Sequence, residues 1–225
     1  MTTPFDHIDL VIFDCDGVLV DSEGISAAVL TEELARFGVA ITPDFVREQC
    51  LGRSFPTVAQ SIRKWFDLQL PEDFEKNYRA VLLERYETEL QTTDGIEAIL
   101  SHLSCASCVA TSSSPPRVKK TLELTGLEVF FGDLVFTASM VAHGKPAPDL
   151  FFHAAGQMGF EPGRTMVIED SLPGIQAARA AGMDVVLFTG GSHLKDVDRT
   201  AFGEIKIFDS WDDFPQELLR KRESD

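Results

Sequence analysis

The chain has 225 residues, of which 44% are hydrophobic and 25% charged, and its net charge is −16. This length suits one large domain, or a core with a smaller insertion, and the acidic surface disfavours nucleic acids and anionic membranes as partners. No apolar run approaches the roughly 20 residues of a membrane helix, and the N-terminus lacks the basic and apolar regions of a signal peptide. We therefore expect a cytoplasmic protein, and a monomer.

Short apolar segments alternate with helical patterns along most of the chain. Several segments are continuous apolar runs, which is typical of parallel strands buried on both faces. The predicted strands are Asp9–Phe13, Cys108–Thr111, Leu134–Phe136, Thr165–Ile168, Val185–Phe188 and Glu204–Phe208. Predicted helices between them, each followed by a glycine, are Pro116–Thr125, Asp149–Met158 and Leu172–Ala181. The alternation predicts an α/β fold, a doubly wound parallel sheet of Rossmann-like type.

One stretch, from about Glu23 to Leu90, contains no predicted strand. It has four helical patterns, three of which have a proline near the start, where proline is tolerated. The predicted helices are Gly24–Phe37, Pro43–Gln49, Phe55–Phe66 and Glu72–Glu89. We therefore predict an all-helical cap domain at residues 22–90, inserted into a catalytic core formed by residues 1–21 and 91–225. An insertion beside the first strand is well placed to act as a lid.

The most informative motif, Asp14-Cys15-Asp16-Gly17-Val18-Leu19-Val20-Asp21-Ser22, directly follows the first predicted strand. Ligands of open parallel sheets bind at the carboxyl ends of strands, so the carboxylates of Asp14 and Asp16 are expected to face one crevice. A single aspartate there would more often cap a helix, but two together repel each other unless a cation joins them. Gly17 permits the sharp turn that such a loop needs.

Three other predicted strands end in polar residues that point to the same edge of the sheet. Ser112-Ser113-Ser114 follows the second strand and precedes a helix, an arrangement that suits a phosphate but is also common in ordinary helix caps. Lys145 precedes Pro146, which keeps it out of the next helix. Glu169-Asp170 follows the fourth strand, and Ser171 supplies the N-cap of the helix after it.

Taken in order, these motifs resemble the haloacid dehalogenase-like hydrolases. The pattern is DxDGxLxDS, a serine in a strand-end loop, KPxPD, and EDSxxGIxAAxxAG, and it runs from about Ile8 to Gly191. The chain resembles the branch with a helical cap after the first strand, which includes phosphogluconate phosphatase, phosphoglycolate phosphatase and β-phosphoglucomutase. The resemblance implies a phosphatase that acts on a small phosphate ester.

The resemblance also implies a role for each motif residue. Asp14 would attack phosphorus and form an aspartyl-phosphate, and Asp16 would protonate the leaving oxygen and then activate water. Ser112, Ser113 and Lys145 would bind the transferring phosphoryl group. The metal would be Mg²⁺, which prefers hard oxygen ligands. Its expected ligands are Asp14, Asp170 and the backbone carbonyl of Asp16, with Glu169 as a further ligand or as an acid behind the ligands.

Three other functions fit the sequence less well than a phosphatase does. A dehalogenase of this superfamily works without a metal and lacks the second aspartate of the first motif, so Asp16 and the pair Glu169-Asp170 argue against it. A β-phosphoglucomutase carries a cap histidine shortly after the first motif, near Ser26 here, and no histidine occurs between His7 and His102. A non-catalytic binding protein is expected to have lost a nucleophile or a metal ligand, whereas all these positions are filled.

The cap is expected to choose the substrate, a sugar phosphate or a sugar-acid phosphate such as 6-phosphogluconate. Leu51-Gly52-Arg53-Ser54 resembles the cap loop that meets the substrate in related enzymes, and Arg53 suits its hydroxyls or carboxylate; a solvated surface charge is the other interpretation. His143 and His193 lie in predicted loops and receive no role. Cys105 and Cys108 have CxxC spacing without a second ligand pair, so we interpret Cys108 as a small buried residue rather than a zinc or redox site.

Overall fold

The computed structural model describes residues 5–50, 52–195 and 197–220. Its centre is one sheet of six parallel strands in the order β3-β2-β1-β4-β5-β6. The strands are β1 (Leu10–Phe13), β2 (Ala106–Thr111), β3 (Val135–Thr137), β4 (Thr165–Glu169), β5 (Asp184–Phe188) and β6 (Lys206–Phe208). The predicted doubly wound α/β fold is confirmed, and each predicted strand is present with its ends shifted by up to two residues.

Both faces of β1 are buried, which explains its continuous apolar sequence. Val11 and Phe13 belong to a hydrophobic cluster on one face of the sheet, and Leu10 and Ile12 belong to a second cluster on the other face. All four side chains have no solvent-exposed surface. The alternation of β1 side chains between the two clusters fixes the register of the strand. The residue after Phe13 therefore lies at the carboxyl end of the sheet.

The described part of the chain contains nine α-helices. They are α1 (Glu23–Ala35), α2 (Pro43–Gln49), α3 (Phe55–Phe66), α4 (Phe74–Glu89), α5 (Ile96–His102), α6 (Pro115–Thr125), α7 (Glu128–Phe131), α8 (Asp149–Met158) and α9 (Leu172–Ala180). None of them combines the length and the apolar character needed to cross a membrane. The sequence patterns missed α5 and α7, which have seven and four residues.

Helices α1–α4 follow β1 without an intervening strand and pack around a hydrophobic cluster of their own. This cluster includes Leu34, Ile62, Leu82 and Tyr86, all of which are almost completely buried. The four helices therefore form a separately packed layer, whose position in the chain matches the predicted cap.

The two connections between this helical layer and the sheet lie side by side. Val20 and Thr92 form an isolated antiparallel bridge, and the Asp21 amide donates to the Gln91 carbonyl at 3.0 Å. Two adjacent connections of this kind allow one packed layer to turn on the other, because only a few backbone dihedrals must change. Division of the chain at residues 22 and 90 into core and cap stays a prediction.

We expect the α1–α4 layer to rotate as a unit when a phosphate analogue such as vanadate binds. Spin labels at Lys64→Cys in α3 and Lys119→Cys in α6, both exposed sites, should show a shifted distance distribution with vanadate. A control pair at Lys119→Cys and Gln157→Cys, both on helices that pack against the sheet, should not shift. An unchanged distance for the first pair would contradict a mobile lid.

Candidate active site

Acidic residues from two neighbouring strands meet at the carboxyl end of the sheet. Asp14 directly follows β1, and Glu169 is the last residue of β4. The Asp14 amide donates to the Ile168 carbonyl at 3.0 Å, which carries the β1–β4 pairing up to the site. Because carboxyl ends of parallel strands share one edge of the sheet, residues 155 positions apart are brought together.

Lys145, from the loop that follows β3, lies between these two carboxylates. Its ammonium donates to Asp14 Oδ1 at 2.6 Å, to Glu169 Oε1 at 2.7 Å and to the Ala110 carbonyl at 3.0 Å. Only 1% of the Lys145 side chain is exposed. Burial alone lowers the pKa of Lys145, but the charges of Asp14 and Glu169 outweigh burial and raise the pKa above its ordinary value. Lys145 is therefore a permanent cation beside Asp14.

Asp14, Glu169 and Asp170 form a buried group whose ligand atoms all lie within 4.8 Å of one another. Burial raises the pKa of Asp14 and of Asp170 well above its ordinary value, and the neighbouring acids raise both further against the effect of Lys145. One ammonium cannot offset three buried carboxylates, so this geometry fits a divalent cation with oxygen ligands.

The two oxygens of Glu169 are both engaged by the protein. Oε1 accepts from Lys145, and Oε2 accepts from the amides of Asp170 and Ser171 and from the Ser171 hydroxyl, at 2.8–2.9 Å. The Ser171 hydroxyl also accepts from the Gly174 amide at 3.2 Å, as predicted for the N-cap of α9. These contacts favour Glu169 as the residue that orients Lys145, rather than as a direct metal ligand.

The side chain of Asp16 turns away from the three-carboxylate group. Its Oδ1 accepts from Ser22 Oγ and from Arg117 Nη2, both at 2.6 Å, and its Oδ2 accepts from Ser113 Oγ at 2.5 Å. Burial raises the pKa of Asp16, but Arg117 and the hydroxyl donors lower it more, so the pKa lies below its ordinary value. Asp16 is held in this structure as a carboxylate with three donors.

The two serines predicted to bind phosphate border the same cavity as Asp14 and Asp16. Ser113 donates to Asp16, as above, and the Ser112 hydroxyl donates to the Gly52 carbonyl at 3.1 Å. The second contact brings the loop between α2 and α3 onto the sheet edge. The exposed Arg53 borders the cavity too, whereas Leu51 of that loop lies outside the described residues.

Two residues with no predicted role contact this site. Arg117, in the first turns of α6, bonds Asp16, and His193, in the loop after β5, places Nε2 2.9 Å from Asp170 Oδ2. Only 6% of the His193 side chain is exposed. A side chain at Gly17, where φ is +77°, would collide with both Asp170 and His193. His193 thus packs against Asp170, one of the acids of the proposed metal site.

The four cysteines are free thiols, and Cys108 is fully buried within β2. In the described part of the chain, the only group of three or more potential metal ligands is the acidic one already given. Cys108 is thus a small buried residue of the strand, as the sequence favoured.

The model of the haloacid dehalogenase-like hydrolase family matches residues 8–182. Among curated proteins, 6-phosphogluconate phosphatase of Escherichia coli is 28% identical over 192 residues, which cover 85% of this chain and 87% of that protein. Fructose-1-phosphate phosphatase of Escherichia coli is 34% identical over 183 residues, which cover 78% and 94%.

A solved structure of a conserved haloacid dehalogenase-like protein of unknown function from Agrobacterium tumefaciens has the same fold. It is 36% identical and superposes with a TM-score of 0.76 over 90% of this chain and 94% of that one. The match covers both the sheet and the helical layer, since it extends over nearly all of both chains.

We expect Gly174→Ala to damage the site, because the added methyl carbon would lie 1.7 Å from Glu169 Oε1. Moving Glu169 would withdraw the counter-charge of Lys145, at a cost of about 2 kcal/mol or more in the free energy of unfolding. Urea denaturation and phosphatase assays measure both effects.

Gly156→Ala, in the last turn of α8, is the matched control, because apart from the backbone of its own helix no atom lies within 4 Å of the added methyl group. Alanine is the better helix former, so this variant should gain up to about 1 kcal/mol. Equal stability and activity of the two variants would show that the Glu169 contacts are dispensable.

Proposed function

This chain belongs to the haloacid dehalogenase-like hydrolase family and is a phosphatase, and on that premise we propose how it acts and on what. The substrate is a small phosphorylated metabolite, a sugar phosphate or a sugar-acid phosphate such as 6-phosphogluconate. Hydrolysis proceeds through an aspartyl-phosphate on Asp14. The observation that carries the proposal is the pairing of Asp14 with the buried Lys145 at 2.6 Å, inside a cluster of acids at a strand end.

Asp14 is the nucleophile in this proposal. Its carboxylate attacks phosphorus, a new P–O bond forms, and the bond from phosphorus to the ester oxygen breaks. Lys145 fixes the attacking carboxylate in position and offsets part of the negative charge that gathers around the phosphoryl group. Ser112 and Ser113, at the end of β2, border the same space and would turn their hydroxyls to phosphoryl oxygens.

Asp16 serves both half-reactions. As an acid it gives a proton to the departing alkoxide, and as the resulting carboxylate it takes a proton from the water that attacks the aspartyl-phosphate, which restores the acid for the next turnover. The carboxylate seen in this structure takes its first proton from solvent once its contact with Arg117 opens. That attack breaks the P–O bond to Asp14 and releases inorganic phosphate. The contacts of Asp16 with Ser22, Ser113 and Arg117 mean that its carboxyl group must turn before the first proton transfer.

We propose Mg²⁺ as the metal, held by Asp14, Asp170 and the Asp16 carbonyl, with Glu169 behind them as the partner of Lys145. The cation supplies charge compensation for the phosphoryl oxygens and the clustered carboxylates. His193 keeps one oxygen of Asp170 in a fixed direction. Cytoplasmic location and a monomeric state stay predictions from the sequence.

Asp14→Asn should abolish turnover of p-nitrophenyl phosphate, with a fall of at least about a thousandfold, because no other carboxylate can take the place of the nucleophile. Asp133→Asn, an exposed position before β3, is the control and should keep wild-type activity. Circular dichroism checks that both variants fold. If the Asp14→Asn enzyme kept a substantial fraction of the wild-type rate, Asp14 could not be the nucleophile.

EDTA should abolish the activity of the wild-type enzyme, and added Mg²⁺ should restore it. Ca²⁺ should inhibit the activity, because Ca²⁺ takes more ligands in a looser geometry. The measurement is the rate of phosphate release at fixed substrate and varied metal. Full activity after exhaustive chelation would contradict the metal-dependent proposal.

A screen of phosphorylated metabolites, headed by 6-phosphogluconate and hexose 6-phosphates, identifies the substrate and separates hydrolase from mutase. We expect phosphate release from members of this set. With β-glucose 1-phosphate and glucose 1,6-bisphosphate we expect no glucose 6-phosphate, since Ser26 stands where the mutase carries its histidine. Glucose 6-phosphate formed faster than inorganic phosphate would overturn the phosphatase in favour of the mutase.

A further inference from the structure

Arg117 joins the sheet edge to two helices of the inserted layer through one half of its guanidinium group. Nη2 donates to Asp16 Oδ1 at 2.6 Å, to Ser26 Oγ of α1 at 3.0 Å and to the Tyr86 hydroxyl of α4 at 2.7 Å. The guanidinium carbon also lies 5.6 Å from the centre of the Tyr86 ring. Only 17% of the Arg117 side chain is exposed, so this charge is well shielded from solvent.

One further donor of the guanidinium group has no partner among the described residues. Arginine has five N–H donors, and Nε of Arg117 is buried with no hydrogen-bond partner in the described residues. An unpaired donor on a buried cation is costly. Arg117 therefore has an unused donor beside Asp16, on a residue that lines the cavity.

The cavity beside Asp14 is lined by charges of both signs, with three arginines and the three acids Asp14, Asp16 and Glu23. Arg53, Arg79 and Arg117 all line it, although the chain has 20 basic residues against 36 acidic ones. Lys145 and the proposed metal already serve the phosphoryl group that is transferred. The arginines therefore lie where a second anionic group of the substrate would be.

Of the three arginines, Arg117 is the one whose partner belongs to the catalytic motif. Arg79 is paired with Glu75 of its own helix and also contacts Ser114, and Arg53 is exposed. The carboxylate on Arg117 is Asp16, which must move for the proposed first half-reaction. A group that takes the place of Asp16 at Arg117 thus determines whether Asp16 is free to turn and transfer its proton.

We propose that Arg117 is a specificity-determining residue that binds a carboxylate of the substrate and releases Asp16 in exchange. The inference rests on the proposed function and names its substrate class, phosphate esters that also carry a carboxylate. The exchange replaces one carboxylate with another, so the shielded guanidinium keeps a counter-charge throughout. The planar fork of arginine matches the two oxygens of a carboxylate.

The anion that Arg117 binds in this structure is already a carboxylate, that of Asp16, which favours a carboxylate over a larger phosphate at this place. In this structure the cavity has a volume of about 70 Å³, well below the roughly 300 Å³ at the lower end for ligand pockets. A substrate can enter only if contacts between the two layers open, and the bonds from Arg117 to Ser26 and Tyr86 are among them. Hydroxyl groups of Ser26 and Tyr78 also face this space, as suits a hydroxylated carbon chain.

The test compares 6-phosphogluconate with glucose 6-phosphate, which lacks the carboxylate, and with p-nitrophenyl phosphate. We expect the wild-type enzyme to prefer the carboxylate substrate in kcat/KM. Because Arg117 also holds Asp16, Arg117→Met should change kcat/KM for all three substrates. The preference, which is the ratio of kcat/KM for 6-phosphogluconate to that for glucose 6-phosphate, should fall by about 10- to 100-fold, the loss expected for a charge-assisted contact. Arg117→Lys should retain part of the preference, and Lys119→Met, exposed on the same helix, should retain all of it.

An equal loss for all three substrates in Arg117→Met and in Arg117→Lys would overturn the inference and make Arg117 a structural residue. Wild-type enzyme with no activity on any ester, p-nitrophenyl phosphate included, would instead refute the proposed function. Binding of gluconate, measured by calorimetry, then decides about Arg117 alone because it needs no turnover.

Gluconate should bind wild-type protein and bind Arg117→Met more weakly. Asp16→Asn should bind gluconate more tightly than wild type, because the carboxylate that competes for Arg117 has been removed. Equal gluconate affinity in wild type and Arg117→Met would overturn the carboxylate contact, and unchanged or weaker affinity in Asp16→Asn would overturn the exchange.

Discussion

The ammonium group of Lys145, buried between Asp14 and Glu169, is the interaction on which the rest of the site depends. Three carboxylates packed against one another at the edge of a sheet would repel, and a lysine with 1% exposure would lose its charge without them. The carboxylates therefore keep Lys145 charged, and the charge of Lys145 reduces the repulsion between the carboxylates. The arrangement needs β1 beside β4, the loop after β3 folded back over both strands, and a residue without a side chain at Gly174.

Charge on this protein is divided between its surface and its active site. The chain carries −16 overall, yet its substrate class is anionic. Lys145 lies at the reacting end of the site, and three arginines surround the cavity beside it. In the proposed function, the loops at the edge of the sheet carry out the reaction, and the substrate is recognised where those loops meet α1–α4. Arg117 belongs to both, since it contacts Asp16 and two of these helices.

Much of this architecture follows from the sequence because the sheet is buried on both faces. Continuous apolar runs marked the six strands, and polar residues at their carboxyl ends marked Asp14, Lys145 and Asp170 as one group. The acids need a cation by charge alone, so a buried acidic group that could hold a metal was predictable. The helical layer was predictable too, because residues 23–90 contain no strand pattern and interrupt the alternation.

Other features depend on contacts that sequence patterns do not encode. Arg117 is a single arginine in an amphipathic helix and His193 a single histidine in a loop, and their partners lie 101 and 23 positions away. The order of the strands, and the turn of the Asp16 side chain towards Ser22 and Ser113, are set by tertiary packing. The short helices α5 and α7 give too few turns for a periodic pattern.

The stereochemical course at phosphorus tests the central mechanistic claim most directly. The measurement uses a thiophosphate ester made chiral with oxygen isotopes and hydrolysed in water that carries the remaining isotope. Transfer to Asp14 followed by transfer to water gives two in-line displacements, each with inversion, so the released thiophosphate should show net retention. Net inversion would mean that water attacks the ester directly, and it would contradict an aspartyl-phosphate intermediate.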